Sequence, residues 1–66
     1  MCLAIPGKII KIKGNEAVVQ YPKEKRKANL IEKNFKVGDY VYVSSKIVVQ
    51  KIPKKEALQC LKLFKQ

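Results

Sequence analysis

Two thiols, five carboxylates and fifteen basic side chains are the groups in this 66-residue chain that could do chemistry, and Cys2 is the most unusually placed of them. It heads the run Met1-Cys2-Leu3-Ala4-Ile5-Pro6-Gly7, on a chain end that can fray or reach outward. Removal of the initiator methionine would set its thiolate beside a free α-amine, a pair able to chelate a soft or borderline metal. The alternative is a small apolar side chain tucked under the first strand, since free cysteine is among the most buried residue types. Position alone leaves both open.

The remaining inventory argues against an enzyme. The chain has no histidine and no tryptophan, which removes the commonest general base, the commonest metal ligand and every Ser-His or Cys-His arrangement. The acids Glu16, Glu24, Glu32, Asp39 and Glu56 sit beside turns or on expected solvent faces, so paired-carboxylate catalysis has little support. Cys2 and Cys60 lack CxxC spacing. Neither a signal peptide nor a membrane-spanning run is recognisable, so a cytoplasmic, reducing setting with both thiols free and no membrane partner is expected. Cys60 is read as a packing residue.

A formal charge of +10 implies attraction to something acidic. The lysines are spread from Lys8 to Lys65, with a local cluster at Lys23, Lys25, Arg26 and Lys27, and Arg26 is the one arginine. A solvated lysine-rich surface explains most of this. The alternative is a basic nucleic-acid-binding barrel in which Tyr40 and Tyr42 stack on bases while Lys25, Arg26 and Lys27 neutralise phosphates. Against it stands packing of one or both rings beneath a helix. A third reading makes the chain a structural subunit whose apolar elements form an interface.

The elements that must position these groups follow from periodicity. Lys8 to Lys13 is a β-branched run with Ile10 and Ile12 on one face, Lys11 and Lys13 on the other, and Ile9 on the lysine side against a second packing surface. Gly14-Asn15 turns it into a second strand over Ala17 to Tyr21, which Pro22 ends. Arg26 to Ile31 forms a third strand with Ala28 and Leu30 inward. Phe35 and Val37 are expected to cap one end of the core. Tyr40 to Val43 is a fourth strand with both valines inward, and the continuous run Ile47 to Ile52 reads as a fifth, buried on both sides. Pro53 then opens a helix whose apolar face is Ala57, Leu58, Leu61 and Phe64, with Cys60 and Leu63 beside it. The predicted fold is all-β with one C-terminal helix: a single domain over 1–66, with a small OB-like barrel of about five strands over about 5–52 and the helix over about 53–65. An SH3-like barrel is the nearest rival.

The opening Met1-Cys2-Leu3-Ala4-Ile5-Pro6-Gly7-Lys8-Ile9 closely resembles the start of the hydrogenase maturation chaperones of the HypC/HupF/HybG family. The resemblance continues through Gly14-Asn15-Glu16-Ala17-Val18-Val19 and through Val37-Gly38-Asp39-Tyr40-Val41-Tyr42-Val43, which is similar to the family's VGDYVLV strand. It ends in a helix opened by Lys54-Lys55-Glu56-Ala57, so most of the chain is covered. The resemblance implies a chaperone with no reaction of its own. Such a protein pairs with a HypD-like iron-sulfur maturation protein and escorts an Fe(CN)2CO center to the precursor of the [NiFe]-hydrogenase large subunit. It implies no tightly bound cofactor, only iron held transiently in complex with a partner. Cys2 would contact iron or a partner cysteine; Leu3, Ile5, Pro6 and Gly7 would make up the partner-binding arm. The chain departs from the family after the VGDYV-like strand, where Ser44-Ser45-Lys46-Ile47-Val48 stands and Ser44 replaces a histidine proposed as a second iron contact. A serine hydroxyl is a poor ligand for ferrous iron, so that second contact does not carry over. The charge of +10 also departs from the family's usual acidic or near-neutral balance.

Overall fold

The computed structural model describes residues 4–64. The strands are β1 (Gly7–Lys13), β2 (Glu16–Gln20), β3 (Lys25–Leu30), β4 (Tyr40–Ser44) and β5 (Ile47–Ile52), followed by helix α1 (Lys54–Phe64). They close into a barrel in the order β1-β2-β3-β5-β4, antiparallel except where β3 meets β5. This is the expected five-stranded, OB-like architecture, with strand limits within a residue of those read from the sequence. Phe35 packs against the core as expected, whereas Val37 is exposed.

Two β-bulges decide which side chains enter the core. Between Ile9 and Lys11 the register against β2 slips by one, leaving Ile10 as the extra residue. Ile9 and Ile12 therefore face inward, Ile9 fully buried, and the strict alternation that put Ile9 on the lysine side does not hold. The second bulge lies between Tyr42 and Val43, where β5 supplies Val49 as the extra residue. Val48 thus points into the barrel with Ile9, Val19 and Val41, while Ile52 turns to the outer face with Tyr40. The exposed Val49 also corrects the expectation that β5 is buried on both sides.

Helix α1 covers that outer face. Its N–H to C=O ladder starts at Pro53, whose carbonyl accepts from Ala57 at 3.0 Å, and Ala57 packs against Tyr40 and Ile52 with Tyr42 and Leu61 at the edge. The buried helix positions are Ala57 and Cys60, whereas Leu58 and Leu63 are exposed. The helical face is thus rotated toward Cys60 relative to the expected stripe. Cys60 packs as expected but is disulfide-bonded, so the expectation of free thiols fails at this residue. Lys51 fastens the long β3–β4 connection to the barrel. Its ammonium donates to the Asn34 carbonyl at 3.0 Å, pairs with Asp39 at 3.3 Å and lies over the Phe35 ring.

The β4–β5 hairpin turns on Ser45 and Lys46, both with positive φ (52° and 64°). That is the twist a two-residue hairpin wants, carried by residues that pay a steric cost for it. The Lys46 carbonyl accepts from the Asn29 amide at 2.7 Å and so joins the turn to β3. Lys46→Gly is expected to raise stability by about 1 kcal/mol, read as a higher denaturant midpoint at unchanged slope.

Candidate functional site

Closure of the barrel is short on one side. β3 and β5 share only the register pairs Asn29 with Ile47 and Leu30 with Val48, so the first half of β3 has no strand beside it there. An open groove of about 670 Å³ occupies that side of the rim. Its apolar surface comes from Ile5, Tyr21, Pro22 and Val43; its polar edge comes from Lys23, Glu24 and Arg26 on the β2–β3 hairpin and from Ser45 and Lys46.

Gly7 and Pro6 set Ile5 in this groove. Gly7 pairs with Val41, which sets the chain just before it antiparallel to β4 and directs Ile5 toward the β4–β5 turn. Pro6 is fully buried, and a β-carbon on Gly7 would run into Val19 Cγ1 and the Tyr21 ring. Only glycine lets the backbone lie this close to β2. Ile5, by contrast, is 41% exposed and lines the groove. Cys2 and Leu3, the other residues expected in the partner-binding arm, lie outside the described residues. Within residues 4–64 no group of three or more His, Cys, Asp and Glu side chains could hold a metal.

The rim carries the cations Lys23, Arg26 and Lys46 and one carboxylate, Glu24, which pairs with Arg26. Arg26 Nε donates to both carboxylate oxygens of Glu24 at 2.9 Å, and that contact raises the guanidinium's already high pKa. Both side chains are substantially exposed, so the pair orients Arg26 more than it stabilises the fold. Burial pushes the Tyr21 hydroxyl above its ordinary value of 10; Arg26 opposes this and Glu24 adds to it. Folding therefore favours the neutral phenol. Its contribution is present below pH 10 and falls as the pH rises past that value. The phenolate absorbance lost in Tyr21→Phe is expected to titrate above pH 10, checked by difference spectroscopy between the two proteins.

Tyr40 and Tyr42 do not form a nucleic-acid face. Tyr40 is only 9% exposed, and both rings pack with Ile52, Ala57 and Leu61 beneath α1. Arg26 shares the groove with neither tyrosine, while Lys25 and Lys27 point to the outside of β3. The stacking constellation read from the sequence is thus dispersed over three surfaces. What sequence reading missed was the groove itself, although the Pro22 turn and the Ser45-Lys46 turn both mark its edges.

The described residues form a closed five-stranded barrel with one helix over its outer face and an open groove lined by Ile5, Tyr21, Pro22 and Val43. The HupF/HypC family model matches residues 1–64. Hydrogenase maturation factor HypC of Helicobacter hepaticus is 38% identical over 69 residues, an alignment covering all of this chain and 80% of that protein. The chain belongs to the HupF/HypC family of hydrogenase maturation chaperones.

Proposed function

We propose that this protein is a [NiFe]-hydrogenase maturation chaperone that uses Cys2 to contact iron, a HypD-like partner or both while an Fe(CN)2CO center is assembled and delivered to the large-subunit precursor. The observation that carries the reading is the arm. Gly7 and Pro6 are fixed in the barrel wall, and the residue beyond them, Ile5, is presented in an open groove. A thiol at the head of such an arm can be shared between successive partners, and thiolate is a suitable donor for low-spin iron. The reading requires the reduced chain, because a sulfur in a disulfide is no longer a thiolate donor.

Ser44 closes β4 next to the groove-lining Ser45, so the turn brings hydroxyls rather than an imidazole to this rim. The partner would supply the remaining iron ligands. No helix among the described residues is long and apolar enough to cross a membrane. A cytoplasmic site of action is the setting this thiol chemistry fits, since glutathione and thioredoxin keep thiols reduced there.

The test is a pull-down of the HypD-like protein by the wild-type and Cys2→Ala chains in the presence of a thiol reductant, with iron measured in the recovered complex. Wild type should recover partner and iron, and Cys2→Ala should lose iron, partner or both. Equal iron in both complexes would defeat the reading.

A further inference from the structure

We propose that the outward face of β1-β2-β3 is a docking surface for an acidic patch on the protein with which this chain assembles. The inference rests on the reading above for its choice of partner, a HypD-like protein. Register places the outward residues in three rows: Lys8, Gln20 and Lys25; Lys11, Val18 and Lys27; Lys13, Glu16 and Asn29. Five of these nine positions are lysine and one is acidic, and all five lysines are exposed. Neighbouring strands lie about 4.8 Å apart, so Lys11 and Lys27 straddle Val18 at roughly 10 Å, close enough for their charges to repel.

β2 separates the β1 lysines from the β3 lysines, so their repulsion is a modest, longer-range one; Lys13 alone stands opposite an acid, Glu16, and the ion pairs of the described residues, Arg26 with Glu24 and Lys51 with Asp39, lie elsewhere. Helix α1 covers the Tyr40 and Ile52 side of the barrel, which leaves this face uncovered. At its centre the bulge residue Ile10 and Val18 are half-buried, a small apolar patch inside a cationic ring. A polar, charged rim around a desolvated centre is the anatomy of a protein interface. Single-stranded nucleic acid is a poorer fit. The face carries no aromatic ring for stacking and no arginine for bidentate contacts, because Arg26 points into the groove.

The experiment compares dissociation constants for the HypD-like protein of the same genome, measured with reductant at about 50 and about 300 mM salt. The chains are wild type, Lys11→Glu/Lys27→Glu, and a control, Lys54→Glu/Lys55→Glu, that makes the same charge change on α1. The sheet-face pair should weaken binding about 30-fold at low salt and flatten its salt dependence, while the helix pair changes it less than about threefold. Equal losses in the two pairs, or none in the first, would overturn the inference. So would tighter, Lys11/Lys27-dependent binding to a short DNA duplex or to phosphatidylserine vesicles run as parallel arms. Failure of wild type to bind the HypD-like protein would overturn this inference together with the reading beneath it. Unchanged affinity in the sheet-face pair alongside loss in Cys2→Ala would overturn the inference alone.

Discussion

Gly7→Ala is expected to destabilise the protein by about 1–3 kcal/mol, one of the largest effects of any single-atom addition in this chain. The new β-carbon has no free volume to enter: it meets Val19 Cγ1 and the Tyr21 ring, and Val19 is itself fully buried. Relief therefore requires β1 to move away from β2 or the Tyr21 ring to swing out of the groove. In a domain of this size a loss of 1 kcal/mol lowers the melting temperature by roughly 4–8 °C, so the transition should fall by about 5–20 °C. The cause can be separated from a general intolerance of substitution. Val19→Ala removes the nearest obstructing atom, and although it costs about 2 kcal/mol alone by leaving a cavity, it should offset part of the loss when combined with Gly7→Ala. A double-mutant cycle with additive costs would show that the two groups do not collide.

The same contact shows why some of this site could be read from the sequence and some could not. Pro6-Gly7 is visible as a fixed direction for the arm, and the strands on either side are visible as β-branched runs between turn residues. What Gly7 packs against is not, because Val19 and Tyr21 come from a neighbouring strand whose register depends on the bulge at Ile10. A bulge adds one residue without altering composition. Period-two counting through Lys8 to Lys13 therefore assigned Ile9 to the wrong face, and counting through Ile47 to Ile52 could not foresee that Val48 and Ile52 face opposite layers. The tyrosines were a different case. Their alternation with Val41 and Val43 was legible, but which of two faces the terminal helix would cover was a tertiary fact. Once α1 lies on Tyr40, the nucleic-acid reading loses its stacking platform and the positive charge needs another account. The register of β1 with β2 and β3 gathers five of the scattered lysines onto one face.

Cys2→Ala is expected to lower hydrogenase maturation by about tenfold or more while costing the fold no more than about 1 kcal/mol, with reductant present in the stability measurement. The asymmetry follows from the two roles that could be assigned to the thiol. As a packing group, it would be replaced adequately by alanine or serine, and both variants would mature hydrogenase. As a donor to iron or to a partner sulfur, it cannot be replaced by serine, whose hydroxyl stays protonated near neutral pH and is a weak ligand for ferrous iron. Cys2→Ser retains the size and polarity of the side chain, so its failure would point to the sulfur and not to the volume it fills. Ile5→Asp supplies the complementary case. Ile5 is 41% exposed in the groove, so a carboxylate there should cost the fold only about 1 kcal/mol but weaken partner capture even with Cys2 intact. Loss of maturation in Cys2→Ser with normal partner capture, beside loss of capture in Ile5→Asp, would assign the chemistry to the head of the arm and docking to its base. Full maturation by Cys2→Ser would instead return Cys2 to the packing role that its position alone left open.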